Sequence, residues 1–89
     1  MKQIQLRIPW KAGLHLRSAA LLVRLVKASK SAVFLKVGEK VADARSVLAI
    51  LLLCATCGTV VNFEVQGEDE EAVTESLTRV FDGDAGDSK

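Results

Sequence analysis

Eighty-nine residues, 49% hydrophobic and 26% charged with few aromatics, set the scale of one small globular domain and exclude a chain disordered throughout. The longest unbroken apolar run, Val47 to Ala55, holds nine residues, far short of the roughly 18 that a bilayer-spanning helix requires, so membrane insertion is not expected. A net charge of +1 argues against bulk attraction to nucleic acid, yet the halves differ: residues 1–45 carry ten Lys or Arg against two acids, residues 46–89 two against nine.

Ile4, Leu6 and Ile8 alternate with Gln3, Gln5 and Arg7, which predicts a strand with one buried face, ended by Pro9. The same alternation from the first residues is unlike a secretory leader, so a cytoplasmic location is expected. Lys11, Ala12 and Gly13 form a loop into a helix predicted over Leu16 to about Ala28. On a helical wheel Leu16, Ala19, Ala20, Val23 and Val26 share its apolar face with Leu22 beside them, and Arg17, Arg24 and Lys27 lie opposite.

Ala32 to Val37 reads as a second strand, turned back at Gly38-Glu39 into Lys40 to Asp43 as a hairpin. Ser46 is placed to cap a short helix beginning at Val47 and running through Leu53. That run is apolar nearly all round, so some of Val47, Leu48, Leu51 and Leu52 should be exposed or covered by a partner. Gly58 is expected to stop it. Val61, Phe63 and Val65, alternating with Asn62, Glu64 and Gln66, predict a fourth strand closed by Gly67. Glu68, Asp69, Glu70 and Glu71 then crowd the first turn of a last helix, with Val73, Leu77, Val80 and Phe81 as its stripe.

The order strand, helix, strand, strand, helix, strand, helix, with one apolar face per strand, predicts an α+β fold. A four-stranded, mostly antiparallel sheet would be covered by helices on one face and open to solvent on the other. The domain is expected over residues 1–82, with a disordered tail over 83–89.

His15 is the only histidine, in the stretch Gly13-Leu14-His15-Leu16-Arg17 at the predicted start of a helix. Unpaired N–H groups and the positive dipole end make such a place an anion site, where an imidazole can act as a nucleophile toward phosphate. Arg17 can neutralise phosphate oxygens, and Lys11 offers a further contact. Cys54 and Cys57 share a Cys-x-x-Cys spacing, open to a redox role or half a zinc site. Zinc needs about four ligands and only His15 remains, so no metal site is expected. The pair ends an apolar helical run instead of opening a helix, which favours buried or idle thiols.

Four landmarks in register resemble the histidine-containing phosphocarrier (HPr) family of the bacterial phosphotransferase system: Gly13-Leu14-His15-x-Arg17, Arg45-Ser46-Val47, Gly58-Thr59 and Gly67-Glu68-Asp69-Glu70. The resemblance implies an HPr-like βαββαβα open-faced sandwich of four strands and three helices. It implies that His15 accepts a phosphoryl group on Nδ1 from phosphorylated enzyme I, stabilised by Arg17, and passes it to IIA components in sugar transport. Such a protein is a stoichiometric carrier, monomeric and without a cofactor, and not an enzyme with its own turnover. In one branch of the family the residue matching Ser46 is phosphorylated by a bifunctional serine kinase/phosphorylase, and the product binds a transcriptional regulator. By position, the docking surface would include Leu16, Arg17, Ala20, Arg24, Lys27, Val47, Leu48, Leu51 and Leu52.

Three departures stand out. The family usually has proline at Ser18, which predicts a less rigid helix start here, often has a polar residue at Ala12, and is less apolar and cysteine-poor over Leu53 to Cys57. Competing readings are a regulatory paralogue working through Ser46 or a regulatory phosphotransferase branch, and a Cys54/Cys57 redox protein. A nucleic-acid binder using the basic first half is the remaining alternative, and it would lack aromatic stacking residues on a basic face.

Overall fold

Alternation fixes the sheet. In the computed structural model, which describes residues 1–82, the elements are β1 Lys2–Arg7, α1 Leu16–Lys27, β2 Ser31–Val37, β3 Lys40–Asp43, α2 Val47–Leu52, β4 Val60–Gly67 and α3 Glu70–Asp82. The expected tail over 83–89 lies outside the described residues.

The strands lie in the order β1-β4-β2-β3, and every neighbouring pair is antiparallel. Register decides which side chains share a face: Ile4 opposes Phe63, Leu6 opposes Val61, and Val33 and Leu35 oppose Val65 and Phe63. These form the inner face, closed by the helices. Gln3, Gln5, Phe34, Lys36, Asn62 and Glu64 fall between them on the opposite, open face, where Lys36 pairs with Glu64 at 2.7 Å. The result is the four-stranded, three-helix open-faced sandwich that the element order predicts.

α1 is turned relative to expectation. Leu16 and Ala20 are exposed, and the buried arc is Ser18, Ala19, Leu22, Val23 and Val26. Rotating the helix toward Leu22 centres the buried arc on Leu22 and Val26, both 0% exposed, and leaves Leu16 at the helix start and the Ala20 methyl to solvent. Trp10, outside the predicted periodic patterns, is 1% exposed and packs on Phe81 with ring centroids 4.9 Å apart. Phe81 in turn meets Phe63 edge-on at 5.5 Å. The loop after β1 is therefore fastened to α3 through the core.

α2 stops at Leu52, well before Gly58. Leu53 and Cys54 donate their N–H groups back to Ile50 and Leu51 at 3.1 Å, tightening the last turn. Cys54 then takes a left-handed φ of 55°, a helix-ending conformation that costs a non-glycine residue about 1 kcal/mol. α3 begins at Glu70, so only Glu70 and Glu71 of the acidic run occupy its first turn. The Asp69 carboxylate accepts the Lys30 N–H at 2.9 Å and the Ser31 hydroxyl. These bonds tie the start of β2 to the start of α3 and hold the Asp69 pKa below its ordinary value.

Candidate functional site

The approach to His15 is built by the chain before it. Past β1 the ladder runs on for one more residue, as the Ile8 N–H donates to the Thr59 carbonyl at 2.9 Å and the Ile8 carbonyl accepts the Gly58 N–H at 2.8 Å. Gly13 then passes beneath the loop after α2 at a φ of +76°. A Cβ here would lie 2.6 Å from the Ala55 carbonyl oxygen and 3.0 Å from the Thr56 Cα, so only glycine fits. Leu14 N–H donates to that same Ala55 carbonyl at 2.8 Å, and the Leu14 side chain is buried.

His15 follows as the N-cap of α1, in extended backbone with φ −116° and ψ −176°, and is half-buried. Its carbonyl accepts the Ala19 N–H at 2.8 Å, the first bond of the helix. Among the described residues no hydrogen bond uses the N–H groups of Leu16 and Arg17, as the opening of an α-helix leaves them. They carry the positive end of the helix dipole, about half an elementary charge. Ser18, where the missing proline predicts a looser helix start, instead closes the turn: its Oγ accepts the His15 N–H and donates to the His15 carbonyl, each at 3.0 Å.

Arg17, Arg24 and Lys27 are exposed on α1, and Lys11 is exposed in the preceding loop. Among the described residues none of the four pairs with a carboxylate. The ion pairs lie elsewhere: the N-terminal ammonium with Glu70, Lys2 with Glu71, and Lys36 with Glu64. The acids of the second half are thus partly matched by cations at the chain start and on the open sheet face, and among the described residues the cations of α1 are left without a carboxylate.

α2 packs against α1. Ser46 caps it as predicted, its Oγ accepting the Ala49 N–H at 3.1 Å. Ile50 is the buried anchor, Val47 and Leu51 are half-buried, and Leu48 and Leu52 are 67% and 63% exposed. Leu16, at the start of α1, is 64% exposed. Among the described residues the neighbouring helices therefore carry uncovered leucines together with a basic stripe that makes no ion pair, a combination suited to an apolar partner with an acidic rim.

Cys54 and Cys57 are both free and exposed, which overturns the buried alternative. Cys54 leaves the helix in its left-handed turn, and Cys57 sits in a tight turn in which Thr59 N–H donates to the Thr56 carbonyl at 3.0 Å. Between them only Ala55 points inward, and its carbonyl is the one that holds Leu14. Ala55, Gly13 and Ser18 shape the surroundings of His15 more directly than the cysteines do. A glycine two residues before His15 was the sequence signal for the first contact; nothing in the pattern pointed to Ala55.

A family profile described as the PTS HPr component phosphorylation site matches residues 2–82. Over 82 residues, 92% of either chain, the sequence is 32% identical to phosphocarrier protein HPr of Xylella fastidiosa. Over 77 residues, 86% of this chain and 91% of the relative, it is 36% identical to the HPr-like protein Crh of Bacillus subtilis. A solved HPr from Thermoanaerobacter tengcongensis superposes with a TM-score of 0.92 at 30% identity, covering 100% of both chains.

Proposed function

The chain belongs to the HPr family of the phosphotransferase system, and on that footing we propose that it is a cytoplasmic phosphoryl carrier whose acceptor is Nδ1 of His15. The phosphorylated histidine of enzyme I presents the phosphoryl group, the His15 Nδ1 lone pair attacks phosphorus in line, and the bond to the donor nitrogen breaks as the new P–N bond forms. The donor imidazole leaves with its electron pair, and the reverse geometry hands the group to a IIA component. Such a transfer asks little covalent work of the protein beyond position and charge. The free N–H groups of Leu16 and Arg17 and the Arg17 guanidinium are the groups available to meet the phosphoryl oxygens.

The observation that carries this reading is the placement of His15: half-buried, extended, and at the N-cap of a helix whose first N–H groups are unused. Docking falls to Leu16, Arg17, Ala20, Arg24 and Lys27 of α1 with Val47, Leu48, Leu51 and Leu52 of α2. The test is incubation with enzyme I and radiolabelled phosphoenolpyruvate. Acid-labile, alkali-stable label is expected on the parent and not on His15→Ala; an unlabelled parent, or a labelled variant, defeats the proposal.

Ser46 supports a second, regulatory reading. Among the described residues its Oγ is engaged only as an acceptor at the N-cap of α2, so a phosphate there would be favoured by the dipole while adding negative charge beside the exposed Leu48. The cost would fall on docking, not on folding. The presence of His15 keeps transfer as the leading reading.

A further inference from the structure

Ser18 is fully buried, at 0% exposure, yet it is polar and stands on the inward face of α1. A buried hydroxyl needs partners, and both of those it finds belong to one residue. Its Oγ accepts the backbone N–H of His15 and donates its own proton to the backbone carbonyl of His15, each at 3.0 Å. The two bonds grip the peptide groups on either side of the His15 Cα. One residue upstream, Leu14 N–H is fixed to the Ala55 carbonyl at 2.8 Å. Between these points the backbone of His15 has little left to vary.

From this geometry we infer that Ser18 is a positioning residue for phosphoryl transfer: it fixes the direction of the His15 Cα–Cβ bond, so that the imidazole swings from a stationary pivot. A proline at this place would set its own φ; the serine sets the conformation of the acceptor residue itself. The inference rests on the phosphocarrier reading and deepens it. Without the hydroxyl, the N-cap peptide groups lose their fixed partner, and the reacting nitrogen spends less of its time in line with the donor phosphorus. A misplacement near 1 Å is enough to cost one to two orders of magnitude in rate.

The test measures enzyme I turnover with parent, Ser18→Ala, Ser18→Cys and Ser18→Thr as the phosphoryl acceptor. Ser18→Ala is expected to lower kcat about tenfold with KM within about twofold, because the docking side chains are untouched. Ser18→Cys, close in volume but a weak hydrogen-bonding group, is expected to lose a similar factor, and it decides the matter if circular dichroism shows Ser18→Ala unfolded. Ser18→Thr, which keeps the hydroxyl, should recover kcat to within about threefold of the parent. A folded Ala or Cys variant with parental kcat overturns the inference, as does a loss that appears in KM alone. Amide hydrogen exchange at His15 gives a reading independent of phosphate: Ser18→Ala should speed it about tenfold, and unchanged exchange overturns the inference. An unlabelled parent with faster exchange in the variant would instead sink the phosphocarrier reading while leaving the hold of Ser18 on His15 in place.

Discussion

Adding a single methyl at Gly13 tests how His15 is presented. In Gly13→Ala the backbone at φ +76° places an L side chain in the left-handed region, which costs about 1 to 2 kcal/mol. The new Cβ would also sit 2.6 Å from the Ala55 carbonyl oxygen and 3.0 Å from the Thr56 Cα. Both neighbours are backbone atoms and cannot swing aside, so the two loops must separate. Separation strains the Leu14 N–H to Ala55 carbonyl bond at 2.8 Å, worth about 1 kcal/mol net. The total is about 2 to 3 kcal/mol, or roughly 10 to 20 °C in Tm for a domain of this size. Gly38→Ala is the matched control, since its φ of +61° is also left-handed but nothing lies within 4 Å of the added carbon. It should lose only about 1 kcal/mol. Urea unfolding followed by circular dichroism gives both numbers, and their difference isolates the contact between the loops. If Gly13→Ala is no less stable than Gly38→Ala, the account of a loop pressed against Ala55 is wrong.

Acid should weaken the fold through Asp69. The Ser31 hydroxyl first, and the Lys30 N–H second, hold its pKa below the ordinary 3.8, so its contribution is present above that value and is lost as pH falls through the folded pKa. Glu70, lowered from an ordinary 4.5 chiefly by the Gly67 N–H, acts in the same sense. Asp69→Asn should therefore be less stable at neutral pH and lose less on acidification below about pH 4; parallel stability curves for parent and variant would refute this. Leu48→Ala should change stability by no more than about 0.5 kcal/mol, because the side chain is 67% exposed, while raising KM for enzyme I about tenfold; a parental KM would remove Leu48 from the docking surface. Ser46→Ala should cost about 1 kcal/mol of stability through the lost cap and abolish labelling by a serine kinase with ATP, and label persisting on the variant would exclude Ser46 as the regulatory site.

The sheet was legible because its information is local. Alternation in β1 and β4, a glycine turn between β2 and β3, and a serine before an apolar run each confine their meaning to a few neighbouring residues. α1 shows where that stops. The wheel gave an apolar arc but could not say which part of a broad arc meets the sheet, and the sheet chose Leu22 over Ala20. Asp69 shows the same limit in electrostatics: by spacing alone an acid before α3 serves its dipole, but the partners it finds, Lys30 and Ser31, are far away in the chain. The cysteines failed for a third reason. Their exposure follows from α2 ending early in a left-handed Cys54, a conformation the residue type does not advertise.

At the candidate site the pattern singled out the residue proposed as acceptor and missed its supports. His15 and Arg17 were visible because their chemistry is in their side chains, whereas Ala55 acts through a carbonyl that any residue possesses. Ser18 was visible only as a proline that was absent. Once the chain folds, that substitution exchanges one way of ordering a helix start for another, and its hydrogen bonds fall on the proposed acceptor, His15. The charge asymmetry resolves in the same spatial terms. Part of the acidic second half is matched by Lys2, Lys36 and the N-terminus, and among the described residues the cations of α1 are left without a carboxylate, as the proposed docking to an acidic partner requires. A carrier has to release what it accepts, so the proposed site of two backbone N–H groups and one arginine would suit it better than a cage of lysines would. On this reading the basic stripe governs the encounter, while the bond order at phosphorus is left to the two imidazoles that exchange it.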